Sequence, residues 1–450
     1  MNTKMFYIKQ ILLVAVMSLT AHLANAQTSL PSFNKSTLDN PIPGFRKSFI
    51  ESAELSMDPT GFRIRGMKGW AWTPEQYLEE IPILSKYKMN FLMNCYLSLF
   101  TVKTNPNNIG TWKNEWWLPL SKNVKSQYEK IFEKCREYGI TFCFAVHPQL
   151  FSPRPINPAS DKDFEDLWQH FEWAQNNGIR WFSVSLDDVT GVKIDGAEHA
   201  VLVNKLVKRL RVKDPKAQMI FCPTYYWGTG EDKKQVEYFD AINKNLDKDV
   251  YVFWTGKKIV PAYITNDDAT KFIKMAGHKV FLWDNYPVND GHLTLHLQPV
   301  TGRERDLYKL IDGYMANPFY TQNEIGRIPL FTMADYAFSP QNYNPTQSIL
   351  EAIAHQTNNK EKQKALKDLV KLFATDTIHV KTGFNPVSFT LKKKKKKKDS
   401  KTEAKEYIQN VENVFANFTK IFPSDYHATK ATLQKVITEL KSIYNKKIKD

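Results

Sequence analysis

The sequence predicts a (β/α)8 barrel of the TIM type followed by a C-terminal helical appendage, and three observations lead there. From residue 62 onward, short β-branched or aromatic runs alternate with stretches of helical periodicity, the pattern of parallel strands joined by crossover helices. Eight such strand candidates fall within about 290 residues, the size of a barrel of this kind. No Gly-x-Gly-x-x-Gly follows the first strand and no phosphate-binding loop occurs anywhere, which disfavours a doubly wound open sheet.

The first strand, Phe62–Trp70, leads into a helix opening at Thr73-Pro74-Glu75, where Thr is suited to the cap and Pro to the first turn. Asn90–Leu99 forms the second strand. The helix Lys125–Tyr138 precedes the third strand, Ile140–His147, and the helix Asp163–Asn176 precedes the fourth, Ile179–Leu186. Gly139 and Gly178 stand where those helices should stop. Gln218–Pro223, Val250–Trp254, Val280–Trp283 and Gly313–Ala316 complete the set. Beyond residue 360 the composition shifts to Lys, Glu, Ala and Leu, with helical spacing in Glu361–Phe373, Glu403–Phe422 and Leu433–Ile448. The expected division is a leader over 1–26, a linker over 27–60, the barrel over 61–355 and a helical region over 356–450.

The leader carries Lys4 and Lys9, then the apolar run Ile11–Met17, then Ala24-Asn25-Ala26, the layout of a cleavable secretory signal. Its apolar stretch is much shorter than the roughly 20 residues that cross a bilayer. The expectation is a periplasmic or secreted protein starting near Gln27, with no Cys beside the cleavage site to carry lipid and no stable membrane insertion. Cys95, Cys135, Cys143 and Cys222 sit inside apolar runs, so they are expected to be buried small hydrophobes and not a disulfide framework or a zinc site. The net charge of +15 includes Lys4, Lys9 and the seven lysines of Lys392–Lys398, so the fold itself is only mildly basic. A nucleic-acid partner is not expected, because binding one needs basic residues spread along a face and not a single homopolymeric run.

In a barrel the active site lies at the C-terminal ends of the strands. The fourth strand ends in Ser185-Leu-Asp-Asp188, the fifth in Cys222-Pro-Thr-Tyr-Tyr-Trp227 and the sixth in Phe253-Trp-Thr-Gly-Lys257. The seventh ends in Leu282-Trp-Asp-Asn-Tyr-Pro-Val-Asn-Asp290 and the eighth in Met315-Ala-Asn-Pro318. Taken singly, these endings fit helix caps, turns or core packing as well as function. Together they put carboxylates, amides, a phenol and indoles on one rim, the groups that grip a polyhydroxylated ring while an acetal is cleaved. Asp187 and Asp188 are neighbours, so on a regular strand they would face opposite ways, and the strand must end or twist there for both to reach one pocket. If both reach it, their repulsion splits the titration into one ionised carboxylate and one that holds its proton near neutrality.

These strand ends resemble glycoside hydrolase family 84, the β-N-acetylglucosaminidases that include O-GlcNAcases and bacterial enzymes named hyaluronidases. The similarity spans residues 62 to 355. It is carried by Leu-Asp-Asp (186–188), Phe-Cys-Pro-Thr-x-Tyr (221–226), Trp-Thr-Gly-Lys (254–257), Trp-Asp-Asn-x-x-x-Asn-Asp (283–290), Leu-x-Pro-x-Thr-Gly-Arg (297–303) and Asn-Pro (317–318). The resemblance implies a retaining, substrate-assisted reaction in which the acetamido oxygen of the substrate attacks the anomeric carbon and forms an oxazoline, with no cofactor or metal. It implies that Asp187 accepts the acetamido N–H while Asp188 protonates the leaving oxygen and later activates water. Tyr226 and Asn285 then contact the acetamide, Trp283 walls it, and Asp290 and Asn317 hold ring hydroxyls. Gly69 matches a family glycine, and Trp254 fits either a substrate-facing or a core-packing place.

Two departures stand out. The family commonly opens with Glu-Gly-Phe-Tyr-Gly, where this chain has Lys68-Gly-Trp-Ala-Trp72, and it usually places a Lys just past the second strand, where this chain reads Asn94-Cys-Tyr-Leu-Ser-Leu-Phe100. The expected partners are glycans or glycoproteins bearing N-acetylglucosamine. The competing expectations are a glycan-binding barrel without turnover, and a glycosidase acting on another 2-acetamido sugar or on hyaluronan.

Overall fold

Side chains alternate across a strand, so a parallel barrel sorts its residues into an inner set and a helix-facing set. The computed structural model describes residues 30–39, 49, 61–103, 111–189, 191–289, 295–319, 323–374 and 397–449. The expected leader, most of the linker and the side chains of Lys392–Lys398 lie outside the described residues. The strands are β1 (Ile64–Gly69), β2 (Phe91–Asn94), β3 (Thr101–Lys103), β4 (Trp112–Asn114), β5 (Thr141–Val146), β6 (Trp181–Ser185), β7 (Gln218–Cys222), β8 (Tyr251–Trp254), β9 (Lys279–Pro287) and β10 (Gly313–Asn317). Eight of them close in the order β1-β10-β9-β8-β7-β6-β5-β2. All pair in parallel, and the ring closes where β1 meets both β10 and β2.

Ile64, Phe91, Met93, Cys143, Ala145, Ile220, Cys222, Tyr251, Phe253, Phe281 and Met315 fill the interior. Met67, Leu92, Phe142, Phe182, Met219, Val252, Leu282 and Tyr314 have the opposite parity and join the layer beneath the helices. Both faces of the barrel strands are thus largely buried, the usual state of a parallel sheet. All four cysteines are buried and free.

The helices are α1 (Pro74–Lys86), α2 (Tyr96–Leu99), α3 (Lys122–Glu137), α4 (Asp161–Asn176), α5 (Gly196–Lys213), α6 (Lys233–Asn245), α7 (Asn266–Ala276), α8 (Asn323–Phe338), α9 (Pro345–Gln356), α10 (Lys360–Phe373), α11 (Lys397–Ile421) and α12 (His427–Lys449). Thr73 caps α1 in a reciprocal capping box with Gln76, as its sequence suggests. Gly139 and Gly178 follow α3 and α4 with φ of 67° and 84°, the left-handed backbone that ends a helix. In the C-terminal region α11 and α12 pack through Ala404, Ile408, Val411, Val436, Ile437 and Leu440. No described helix is long and apolar enough to cross a membrane.

Three elements differ from expectation. The second strand stops at Asn94 and does not run to Leu99, because the Asn94 side chain takes over the ladder, donating to Ala145 O and accepting from Ala145 N, each at 2.8 Å. Cys95 N then donates to the Tyr77 hydroxyl at 2.8 Å, and the chain turns into the short α2. An antiparallel hairpin, β3 with β4, follows outside the barrel. Strand β9 runs on to Pro287, past the predicted end at Trp283, and carries the pocket residues with it.

Candidate active site

At the C-terminal ends of the barrel strands lies a cavity of about 300 Å³ to which every barrel strand or its following loop contributes. Lys68 and Trp70 come from β1, Tyr96 from α2, Asp187 and Asp188 from the end of β6, Cys222 and Tyr226 from β7, Trp283 and Asn285 from β9, and Asn317 from β10. The volume suits one sugar ring and its substituent, and the lining mixes aromatic faces with a few polar groups, as ligand pockets do.

The neighbouring aspartates reach one pocket by the route the sequence requires. Asp187 keeps the inward parity of Ser183 and Ser185, and Leu186 N still bonds to Cys222 O at 2.9 Å. Asp188 then adopts φ 51°, a left-handed conformation rare outside glycine, which turns its side chain back to the pocket mouth. Asp187 is buried, with His147 Nε2 donating to its backbone carbonyl at 2.9 Å and lying 3.3 Å from its Oδ1. His147 Nδ1 accepts from the backbone N–H groups of Gln149 and Leu150, which assigns the ring proton to Nε2. Sequence reasoning missed this histidine, although it ends the predicted third strand.

Asp188 meets solvent at the mouth but is crowded by protein. Its carboxyl is pushed up to about 6, first by desolvation and second by the charge of Asp187. Repulsion between the pair is therefore real but is not the leading cause. Tyr226 donates to Asp188 Oδ1 at 2.7 Å and, with the nearby His147 and Lys68, pulls the other way. Burial, then Asp188, drives the Tyr226 phenol well above its ordinary value, so it remains a donor.

On the opposite wall Asn317 Nδ2 donates to Asn285 Oδ1 at 2.8 Å, and Asn285 Nδ2 donates to Ile259 O at 2.8 Å. Asn317 Oδ1 and Trp283 Nε1 are buried without a hydrogen-bond partner among the described residues. Behind this wall Asp284 has the outward parity and takes a two-point ion pair from Arg303, with bonds of 2.9 and 2.6 Å, and a third bond from the Tyr314 hydroxyl at 2.7 Å. Arg303, the last residue of the Thr-Gly-Arg motif, thus braces β9 from the helix side.

Two predicted contacts are relocated. Trp254 has the outward parity of Val252, stacks on Phe272 of α7 at 5.3 Å and donates to Gly228 O at 3.0 Å, so it is a core residue and does not line the cavity. Gly69 does not line it either. A Cβ there would stand 2.4 Å from the Tyr77 ring, whose hydroxyl donates to Gly69 O at 2.9 Å, so the glycine allows close packing of β1 against α1. Asp290 lies outside the described residues. Among them, no three His, Cys, Asp or Glu side chains converge as a metal site.

A closed (β/α)8 barrel holding two aspartates in one rim pocket defines the class as a TIM-type barrel with its candidate site at the C-terminal ends of the strands. Residues 63–371 match the beta-N-acetylglucosaminidase family, and the chain belongs to it. Protein O-GlcNAcase of Mus musculus and of Rattus norvegicus are each 24% identical to it over 289 residues. That match covers 62% of this chain and 30% of each relative, so the chain spans under a third of their length. An O-GlcNAc hydrolase mutant of Thermobaculum terrenum shares the fold with a TM-score of 0.66 at 21% identity, over 85% of this chain and 81% of the other. CpGH84B does so with a TM-score of 0.63 at 24% identity, over 84% and 66%.

Proposed function

We propose that the protein hydrolyses terminal β-linked N-acetylglucosamine with retention, by substrate-assisted catalysis. The observation that carries this reading is the pairing of Asp187 and Asp188 in one sugar-sized pocket, with the Asp188 carboxyl pushed up to about 6. A carboxylic acid with a raised pKa beside a second acidic group is the arrangement that divides acid and base roles. In the first step the acetamido oxygen of the bound sugar attacks C1, the C1–O bond to the aglycone breaks, and Asp188 gives its proton to the departing oxygen. Asp187, clipped by His147, accepts the acetamido N–H and stabilises the positive charge that develops on the oxazoline. In the second step Asp188, now ionised, takes a proton from water as that water adds to C1 and the oxazoline reopens.

The proposed substrates are glycans or glycoproteins carrying N-acetylglucosamine, and the proposed location is periplasmic or secreted, on the strength of the leader sequence. The test is hydrolysis of a chromogenic β-N-acetylglucosaminide by wild type, Asp187→Asn and Asp188→Asn. Each variant should lose roughly two or more orders of magnitude in kcat, and the Asp188 loss should shrink as the aglycone becomes a better leaving group. Variants that retain wild-type rates would overturn the assignment. A wild type that binds N-acetylglucosamine without turnover would leave a glycan-binding barrel.

A further inference from the structure

Lys68 lines the pocket, and the reaction above does not use its charge. It is only 3% exposed, although a lysine is seldom buried without a partner. Its ammonium lies 4.3 Å from the ring centre of Trp283, 4.9 Å from that of Trp70 and 5.2 Å from that of Tyr96. Among the described residues it has no carboxylate or carbonyl partner. Aromatic faces compensate part of the lost hydration but leave the three N–H donors without an acceptor. The inward parity of β1, set by Ile64, places the side chain at the cavity, with its ammonium among the three rings.

From this geometry we infer that Lys68 is a substrate-binding and specificity residue, whose ammonium donates to a ring hydroxyl of a neutral saccharide in the same pocket as Asp187 and Asp188. This rests on the function proposed above and adds a contact to it. A neutral sugar is favoured over an anionic one, because two aspartates face the same space as the single lysine. Trp283 Nε1 and Asn317 Oδ1, both buried without partners among the described residues, supply a second donor and an acceptor on the adjoining wall. Three unsatisfied polar groups around one cavity are what a hydroxylated ring would pair, and an analogue lacking the paired hydroxyl should be rejected. Lys68 has a second, electrostatic effect on Asp188. That carboxyl is faced by Asp187, Tyr226, His147 and Lys68, and removing the cation lets it rise above about 6.

The test measures binding of N-acetylglucosamine and its 3-, 4- and 6-deoxy forms by tryptophan fluorescence, and hydrolysis against pH, in wild type, Lys68→Met and Lys68→Gln. Both variants should bind the parent sugar roughly ten- to a hundredfold more weakly, the loss expected for a hydrogen bond from a charged donor. The loss in hydrolysis should fall mainly in KM. One deoxy sugar should weaken wild type by a similar factor and weaken the variants no further. The alkaline limb of the pH profile should move upward in both variants, which a purely structural role would not produce. If the variants bind like wild type, or if their losses multiply with those of every deoxy sugar, the inference is overturned. Should Lys68→Met fail to fold, Lys68→Gln and the deoxy series on wild type decide it. A wild type that neither binds nor cleaves the parent sugar removes the proposed function itself, which separates the two failures.

Discussion

Replacing Tyr226 by Phe should lower the rate yet extend activity to higher pH. The Tyr226 hydroxyl donates to Asp188 Oδ1 at 2.7 Å, which favours the ionised carboxylate, and Asp188 still reaches about 6 because desolvation and Asp187 outweigh that bond. Deleting the donor removes a force that lowers the pKa, so Asp188 must climb. A hydrogen bond to a charged group contributes ~1.5–3 kcal/mol, and one pKa unit corresponds to ~1.4 kcal/mol, so the ceiling is one to two units. Water at the mouth replaces part of the lost bond, and about one unit is the expected shift. Asp188 must be protonated to act as the acid, so it sets the alkaline limb of kcat/KM. The assay is kcat/KM against pH with an alkyl β-N-acetylglucosaminide, because an aglycone that leaves easily needs no proton. The limb should move from about 6 in wild type to about 7 in Tyr226→Phe, on a lower plateau. A limb that stays in place, or moves down, refutes the assignment of Asp188 as the acid held by Tyr226.

Asp188→Asn should stabilise the fold by about 1 kcal/mol at pH 7.5, after allowance for solvent at the mouth, as read by chemical unfolding. Because the folded-state pKa is raised from 3.8 to about 6, that gain should be present above pH 6 and vanish as pH falls through the unfolded value, and a gain that persists at pH 3 would contradict it. Trp254→Ala should cost ~3–5 kcal/mol in urea unfolding, whereas Trp283→Ala should chiefly lose kcat/KM; the reverse pattern would undo their placement. Arg303→Met should cost ~3–5 kcal/mol by leaving Asp284 charged and unpaired in the interior, with a lower Tm as the readout and an unchanged Tm as the refutation.

The eight strands were legible because barrel strands are short apolar runs with glycine stops, and the pocket was legible because function collects at their C-terminal ends. Parity was not legible. On β8 both Phe253 and Trp254 are buried and apolar, and nothing in the sequence states which of them faces inward when both sides of a strand are covered. That is why Trp254 was a reasonable candidate and is a core residue. Asp284 shows the same limit, since its pairing with Arg303 joins residues 19 positions apart that no sequence periodicity relates. Lys68 and His147 did leave signals: a lysine among the apolar residues of a strand, and a histidine at a strand end. Both are easily read as ordinary residues unless burial is known. The early stop of β2 came from a side chain imitating backbone, as Asn94 bonds both the N–H and the C=O of Ala145.

The alternation along β9 links these observations. Trp283 and Asn285 face the cavity, and Asp284 and Tyr286 between and beyond them face the helix layer. Inward-facing Trp283, and Asn317 beside Asn285, carry polar atoms without partners among the described residues, which is costly in a folded protein and useful when a ligand supplies the missing bonds. The outward residues are saturated: Asp284 by Arg303 and Tyr314, Tyr286 by a bond from its hydroxyl to Gln298 O at 2.6 Å. The strand is thus anchored on one face so that the other can be left incomplete. The same division holds across the pocket, where Asp187 is clipped by His147 while Asp188 carries the left-handed backbone and the raised carboxyl. Strain and unsatisfied groups gather on the cavity side of both walls, each backed by a bonded support, so the cost of preorganising the site is offset outside the space that the sugar would fill.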